Sequence, residues 1–324
     1  MIGGRVLLSG MMAVACAMTA AFPAASQSYP TRSITMIVPF AAGGFNDVIV
    51  RIVAEHMART LGQSIIIEND AGAGGTTATR RAAQATADGY TIAAGSMGTH
   101  AAAPAQYANL RYDPAKDFTP IGLTADAPAV IVTRKDFPAN NLKEFIDYVR
   151  DNQDKVNEAH AGVGSQMHTY CTLLHSLMGT TTARIAYRGG APAVNDLVAG
   201  QVDFGCVSIN TVASQIQGGT VKAMAIASPE RAAIIKDVPT TTEAGLPEFQ
   251  VSGWNAIFAP KNLPQDIQAR LSDALTRALD DPATAKHLLD IGCAIPDKAD
   301  RTPQALQKRV ESEVARWSSV LKRP

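Results

Sequence analysis

Predicted strands and helices alternate along the chain from residue 34 almost to its end, and this alternation constrains the fold more than any other feature. Short apolar runs typical of strands are followed by segments with apolar residues at three-to-four spacing. This order favours parallel sheets flanked by helices over a β-sandwich or a helical bundle. The predicted strands are residues 34–38, 64–68, 90–94, 184–187, 202–207 and 221–227, and further helices are predicted to begin at Leu142, Gln265, Pro282 and Pro303.

Two extended segments, residues 121–132 and 251–260, are predicted to cross between two α/β lobes. We expect residues 27–125 together with 252–324 to form the first lobe and residues 126–251 to form the second. Each lobe is expected to be a Rossmann-like sheet flanked by helices. Two crossings form a hinge, and ligands of open α/β sheets bind at the carboxyl ends of strands. The sequence therefore predicts a binding cleft between the lobes.

The first 26 residues have the pattern of a secretory signal peptide. One positive charge, Arg5, precedes an apolar run of small residues that is too short and too weak for a stable membrane span. Ala24 and Ser26 supply the small residues that precede a cut before Gln27. A lipoprotein cut before Cys16 is the less favoured alternative, because no large aliphatic residue stands three positions earlier. The mature chain is predicted to be secreted and soluble.

Charge and cysteine content exclude several classes of function. Without Arg5 the mature chain has 28 basic residues (29 minus one) against 29 acidic residues. This balance gives no electrostatic reason to expect nucleic acid or an anionic membrane surface as a partner. Three cysteines remain, Cys171, Cys206 and Cys293, so at most one disulfide forms and at least one thiol is left over. Neither the cysteines nor the histidines show metal-ligand spacing, and no metal site is predicted.

The junction between the first strand and the first helix is the most informative local motif. Residues 38–51 read V-P-F-A-A-G-G-F-N-D-V-I-V-R, a buried strand that enters a glycine-bearing loop and then an amphipathic helix. The first N–H groups of a helix lack intrahelical acceptors and carry partial positive charge, so a carboxylate or phosphate binds there without a cationic side chain. Gly43 and Gly44 allow close approach of a ligand. The alternative is an ordinary turn with Asn46 or Asp47 as helix N-cap.

Other loops at predicted strand ends are also rich in glycine and serine, and we expect them to line the same cleft. They are residues 40–47, 95–100, 162–168, 188–191 and 208–210.

Two motifs suggest catalysis, and both are incomplete. Residues 94–98, A-G-S-M-G, approximate the nucleophile elbow of serine hydrolases around Ser96, but the first glycine is missing and no Asp–His pair is evident downstream. Residues 72–74, G-A-G, begin like a dinucleotide fingerprint, but Thr77 stands where the third glycine belongs. We therefore predict neither an enzyme nor a bound cofactor.

Ordered motifs along essentially the whole mature chain resemble the substrate-binding proteins of tripartite tricarboxylate transporters, the Bug family. They include Val38-Pro39-Phe40-Ala41-Ala42-Gly43-Gly44 with Asp47, Asn69 with Gly72-Ala73-Gly74-Gly75, Ala87-Asp88-Gly89-Tyr90-Thr91, the run from Gly162 to His168, Tyr187-Arg188-Gly189-Gly190, and Glu243-Ala244-Gly245-Leu246-Pro247.

This resemblance implies a monomeric, two-lobed periplasmic binding protein of the Venus-flytrap type (type II). Such a protein captures a small carboxylate, delivers it to membrane permease subunits and catalyses no reaction. A secreted hydrolase using Ser96 and a sensory protein that presents its ligand to a membrane receptor remain the alternatives. The ligand-binding residues implied are Phe40, Ala41, Ala42, Gly43, Gly44, Phe45, Asn46, Asp47, Ser96, Thr99, His100, Ser165, Gln166, His168, Arg188, Gly190, Ala191, Ser208 and Asn210.

Two positions depart from the family pattern. Asp70-Ala71 stands where the family commonly has arginine and proline, and Arg188 stands where lysine is frequent. We expect Asp70 to add negative charge near the cleft and to disfavour a strongly anionic ligand such as citrate. Arg188 preserves the charge and changes the geometry.

Overall fold

The computed structural model describes residues 29–321, so the predicted signal peptide lies outside the described residues. The strands are β1 (Ile34–Val38), β2 (Ile65–Asn69), β3 (Thr91–Ser96), β4 (Phe118–Arg134), β5 (Asn157–His160), β6 (Ala183–Ala186), β7 (Phe204–Ser208), β8 (Val221–Ile226) and β9 (Ser252–Pro260). The α-helices are α1 (Phe45–Leu61), α2 (Thr76–Ala83), α3 (Ala103–Gln106), α4 (Leu142–Asp151), α5 (Gln166–Met178), α6 (Gly190–Val198), α7 (Ile209–Gln217), α8 (Gln265–Asp280), α9 (Pro282–Asp290) and α10 (Pro303–Leu321).

The strands form two sheets that share β4. The first sheet has the order β2-β1-β3-β9-β4, and the second continues from β4 through β7, β5 and β6, with β8 on the other side of β4. Only β1, β2 and β3 in the first sheet and β5, β6 and β7 in the second pair in parallel. β9 is antiparallel to β3 and β4, and β4 is antiparallel to β7 and β8. The expectation of parallel sheets is therefore wrong in part, because the strands that link the lobes run against their neighbours.

The two predicted crossings are paired strands. β4 is 17 residues long; its first part, up to Pro128, pairs with β9, and its last part, from Ala129, pairs with β7 and β8. The pairing of the two strands ends where Pro128 lies opposite Ser252. A hydrogen-bonded pair of strands connects the lobes, and the predicted lobe boundaries fall inside β4 and immediately before β9.

The helix after the first strand begins and ends at glycines. Gly44 is its N-cap, without a side-chain hydrogen bond, and the helix stops at Gly62, whose φ is 70°. Asn46 and Asp47 lie in its first turn, so the alternative in which one of them is the N-cap is wrong. Residues such as Ile49, Val53 and Met57 form the buried face, as the apolar spacing predicts. This burial fixes the amino terminus of α1 to the first-lobe core.

The second lobe contains one disulfide. Cys171 in α5 is bonded to Cys206 in β7, and Cys293 is a buried free thiol. Burial raises the pKa of the Cys293 thiol to about 12. The disulfide joins the helix that begins at Gln166 to the strand that ends at Ser208. Within residues 29–321, no helix combines the length and the hydrophobicity that a membrane span requires.

Candidate ligand-binding site

A small cavity lies between the lobes at the point where four helices begin. Its volume is about 30 Å³, enough for only about two water molecules, since each needs roughly 10–15 Å³ of such space. The helices that start there are α1 from the first lobe and α5, α6 and α7 from the second. The residues that line it are Phe40, Gly44, Phe45, Asn46, Ala161, Ser165, Gln166, Met167, Gly190, Val207, Ser208 and Thr211.

The polar character of the cavity comes from neutral groups. None of its described lining residues is charged. Each helix start presents N–H groups that lack intrahelical acceptors, and the helix dipoles add partial positive charge at the same points. Gly44 lies directly against the second lobe, since a Cβ placed on it would lie 3.5 Å from the Gly190 backbone nitrogen. The geometry suits a small anion held by backbone donors.

Asn46 is the most informative side chain in this cavity. It is only 3% exposed, and its amide nitrogen has no hydrogen-bond partner among the described residues. A buried unpaired amide costs stability, so such a group commonly indicates a functional role. The buried Gln166 side chain also has one polar atom without a hydrogen-bond partner. Its Nε2 donates to Ser208 Oγ at 3.2 Å and to the Tyr170 hydroxyl, whereas its Oε1 has no partner within the described part of the chain.

Asp47 organises the first-lobe loop from beneath. Its carboxylate accepts hydrogen bonds from Gly43 N–H at 2.8 Å, from Arg51 Nε at 2.9 Å and from Asn69 Nδ2 at 2.9 Å. Asn69 also donates to the Phe40 carbonyl oxygen at 3.0 Å. Burial raises the pKa of Asp47, and the hydrogen bonds from Arg51, Gly43 and Asn69 outweigh that effect, so the pKa lies below its ordinary value. The Gly43 N–H is therefore already bonded, and Asp47 supports the site from outside the cavity.

Several predicted residues make contacts between the two lobes. Ala41 N–H donates to the Arg188 carbonyl oxygen at 3.1 Å, and Asn210 Nδ2 donates to the Phe45 carbonyl oxygen at 3.4 Å. A Cβ on Gly43 would touch the Ala191 side chain. The Arg188 side chain is exposed and forms no ion pair within the described chain. Ala42 lies in the same loop, outside the lining of the cavity.

Ser165 and Ser208 have the positions that the sequence predicts, directly before helices. Ser165 is the N-cap of α5 and accepts the His168 N–H at 3.2 Å. Ser208 precedes α7 and accepts from Gln166. Both line the cavity.

Ser96, Thr99 and His100 lie in the first-lobe core and do not line the cavity. The His100 ring stacks on Phe258, with ring centroids 4.0 Å apart, and burial lowers the pKa of His100 to about 3. His100 Nδ1 forms a hydrogen bond with Thr99 Oγ1 at 2.9 Å. The Ser96 hydroxyl has no hydrogen-bond partner among the described residues, so no base activates it in this structure.

His168 also lies beside the cavity and not in its lining. Its Nδ1 is 2.7 Å from Gln106 Oε1 of the first lobe, and its Nε2 is 3.3 Å from Arg184 Nη1. Burial, with His160 and Arg184 nearby, lowers the pKa of His168 to about 3. The residue is therefore neutral near pH 7 and links the two lobes.

Sequence reasoning did not name four of the residues that line the cavity. Met167 lies inside the predicted loop 162–168, and Ala161, Val207 and Thr211 directly adjoin the predicted loops 162–168 and 208–210, but none of the four was named as a binding residue. The Asp70 carboxylate lies 3.4 Å from Arg81 Nε, outside the cavity lining. Asp70 is therefore paired outside the cavity, and its effect on the charge of the ligand stays a prediction.

Two α/β lobes linked by a pair of crossing strands, with helix amino termini collected in the cleft, define a periplasmic-type solute-binding protein. Solved structures agree with this class. The malate-bound MatC of Rhodopseudomonas palustris is 43% identical with a TM-score of 0.89, covering 91% of this chain and 100% of that one. The periplasmic binding protein BugD is 40% identical with a TM-score of 0.87, covering 91% and 98%. A Rhodopseudomonas palustris protein with adipate is 30% identical with a TM-score of 0.86, covering 91% and 97%.

The family model described as the tripartite tricarboxylate transporter family receptor matches residues 49–323. Protein BugT of Bordetella pertussis is 33% identical over 303 residues, covering 93% of this chain and 92% of BugT. A protein encoded in the TAR-I ttuE-ttuC' intergenic region of Agrobacterium vitis is 36% identical over 297 residues, covering 92% and 86%. The chain belongs to the tripartite tricarboxylate transporter receptor family. The family resemblance and the two-lobed fold predicted from the sequence are confirmed.

Proposed function

We propose that this protein captures a small carboxylate in the interlobe cleft and delivers it to a membrane permease of the tripartite tricarboxylate type. The observation that carries the proposal is the convergence of four helix amino termini and the unpaired Asn46 amide on one cavity without charged side chains. Backbone N–H groups at helix starts are suited to hold a carboxylate. Two relatives of similar fold have malate and adipate bound, which supports the same ligand class here.

Binding requires the lobes to separate and close again. A cavity of about 30 Å³ is too small for a four-carbon dicarboxylate, since such space holds only about two water molecules. The ligand docks on the first lobe at α1, and contacts from α5, α6 and α7 of the second lobe then favour the closed arrangement. The closed, loaded form is the one that docks on the permease.

The test is a thermal-shift screen of residues 27–324 against malate, adipate, citrate, aspartate, glutamate and nicotinate, followed by calorimetry. A ligand that binds only the folded state raises the melting temperature. A saturable shift with one or more of these compounds, without product formation, supports the proposal. No shift from folded protein freed of carried-over ligand contradicts it. Uptake of the same compound by cells that carry the cognate permease tests delivery.

A groove on the first lobe is the alternative location for a bound anion, and it has to be tested against the cleft. An open groove of about 420 Å³ on the first lobe is lined by Arg80, Arg81 and Arg111. Arg81 forms salt bridges with Glu68 and Asp70, whereas Arg80 and Arg111 form none within the described chain. This groove is the competing anion site, because two of its cations are not neutralised by a salt bridge.

Two variants separate the cleft from this groove. Asn46→Ala removes an amide without a protein partner for its nitrogen, so it is expected to preserve stability. It should weaken carboxylate binding about tenfold, the equivalent of one hydrogen bond. The double variant Arg80→Ala, Arg111→Ala should bind with unchanged affinity. The opposite result would place the anion in the groove.

A further inference from the structure

The side chain of Gln106, at the end of α3 in the first lobe, makes three polar contacts with the second lobe. Its Oε1 accepts the Gly164 N–H at 2.8 Å and lies 2.7 Å from His168 Nδ1, and its Nε2 donates to Thr169 Oγ1 at 2.8 Å. Because the Gly164 group is a backbone N–H, only the amide oxygen of Gln106 can face it. The orientation of the amide is therefore fixed by its surroundings.

The protonation of His168 follows from this orientation. Since Gln106 Oε1 is an acceptor, the ring carries its proton on Nδ1. Arg184 is always a donor, so the unprotonated Nε2 accepts from Arg184 Nη1 at 3.3 Å. Arg184 is held in turn by the buried carboxylate of Glu158, 3.5 Å away, and by Thr172. The second-lobe partners of Gln106 are thus oriented before the lobes meet.

The neighbouring residue extends the same contact between the lobes. The Tyr107 hydroxyl lies within hydrogen-bond distance of the carbonyl oxygens of Ala73 in the first lobe and Val163 in the second, and its single proton is shared between them. Gly164 and Val163 lie in the turn before Ser165, the N-cap of α5. The segment fastened by Gln106 and Tyr107 is therefore the one that presents the α5 amino terminus to the cavity.

We propose that Gln106 is a positioning residue that latches the first lobe to the α5 amino terminus when the cleft closes around its ligand. The inference rests on the proposed function and concerns a residue outside the cavity lining. All three contacts of its side chain cross the cleft, so they stabilise only the closed arrangement. When the lobes separate, water replaces them and the open form loses little. Gln106 therefore sets how long a bound carboxylate is retained.

The test compares Gln106→Ala with Gln106→Glu and with Asn109→Ala, an exposed control three residues further along the chain. With malate as the probe, Gln106→Ala should raise the Kd on the order of tenfold or more, mainly through faster dissociation. Asn109→Ala should match the wild type. All three should unfold at the same urea concentration as the wild type, because the latch acts between the lobes.

Gln106→Glu supplies a readout that a merely structural role would not change. The carboxylate keeps an acceptor for Gly164 and His168 but loses the donor to Thr169, so it should restore part of the affinity. It also places a negative charge beside His168, whose other charged or titratable neighbours are His160 and Arg184, with Glu158 behind the arginine. The pKa of His168, followed by NMR, should rise relative to the wild type.

Equal malate affinity in the wild type and in Gln106→Ala, within twofold, would overturn the latch while leaving the proposed function intact. If the wild type binds none of the tested carboxylates, the proposed function fails, and small-angle scattering tests the latch by itself. Gln106→Ala should then increase the radius of gyration relative to the wild type and to Asn109→Ala. An unchanged scattering curve would overturn the latch in that case as well.

Discussion

Replacing Asp47 with asparagine tests whether the first-lobe loop is built on a buried carboxylate. Asp47 is 3% exposed and accepts hydrogen bonds from Gly43, Arg51 and Asn69. Asparagine has nearly the same shape but only one acceptor oxygen. Its amide group must face a donor, either the Gly43 N–H or the Asn69 amide, so at least one hydrogen bond to a charged acceptor is lost. Such bonds contribute about 1.5–3 kcal/mol.

The Arg51 contact adds less, because half of the Arg51 side chain is exposed and solvent screens the pair. We therefore expect Asp47→Asn to lower the free energy of unfolding by about 2–3 kcal/mol at pH 7, measured by equilibrium urea unfolding. The Phe40–Gly44 loop should lose its fixed shape, and carboxylate affinity should fall with it. Asp273→Asn is the matched control, because Asp273 also pairs with an arginine four residues later but is 57% exposed. Its effect should stay within about 0.5 kcal/mol.

The pH dependence checks the cause. The pKa of Asp47 is lower in the folded than in the unfolded state, so its contribution is fully present above the unfolded value, about 3.9. It is lost as the pH falls through the folded pKa. The difference between wild type and Asp47→Asn should therefore be constant near neutral pH and shrink below about pH 4. A variant as stable as the wild type at pH 7, or a difference that persists unchanged in acid, would refute this account.

Three further predictions concern the disulfide, closure and acid stability. Replacing both Cys171 and Cys206 with alanine opens a cross-link that spans 35 positions. It should lower the free energy of unfolding by about 4 kcal/mol; chemical reduction of the wild type should give the same loss, and a smaller loss would mean that the unfolded chain is already compact. In Gly98→Ala, the added Cβ lies 2.7 Å from the Gln166 backbone nitrogen. This contact between the lobes should raise the Kd for malate about tenfold without changing the urea midpoint, whereas a shifted midpoint would indicate damage to the first lobe. The pKa of His100 is about 3 when folded and about 6.5 when unfolded, so the unfolded state binds more protons between these values. The free energy of unfolding should therefore rise as the pH rises through this window and be lost as the pH is lowered, and His100→Gln should reduce the slope by up to about 1.4 kcal/mol per pH unit.

The sequence predicted the elements of this fold better than their directions. Alternating apolar runs identify strands such as β1 and the face of α1, because the core selects for periodicity. The same runs do not encode whether β9 joins its neighbours in parallel or antiparallel, since that depends on where the crossing chain returns. The strand β5 was also missed. It is only four residues long and contains Asn157, Glu158 and His160, so it lacks an apolar pattern.

For the candidate site, the sequence predicted which loops lie there but not which of their side chains face the cavity. A strand end followed by glycine and serine places a loop at the correct edge of the sheet, and this predicted Asn46, Ser165 and Ser208 in the cavity lining. The rule does not determine where a side chain points. Ser96 and His100 therefore satisfy the same pattern and yet lie in the core. Gln106 had no local signal, because its role depends entirely on contacts with the other lobe.

Asn46 and Gln106 should affect the affinity for a series of carboxylates in different ways. Asn46 faces the cavity, so its effect depends on which groups the ligand presents there. Gln106 lies outside the cavity and contacts only protein, so its contribution to closure is the same for every ligand that allows full closure. Gln106→Ala should therefore weaken all bound carboxylates by one common factor, whereas Asn46→Ala should change their rank order. Calorimetry on three carboxylates of different length distinguishes the two patterns. If the ratio of the Kd of Gln106→Ala to that of the wild type differs from ligand to ligand, Gln106 interacts with the ligand and does not act only as a latch.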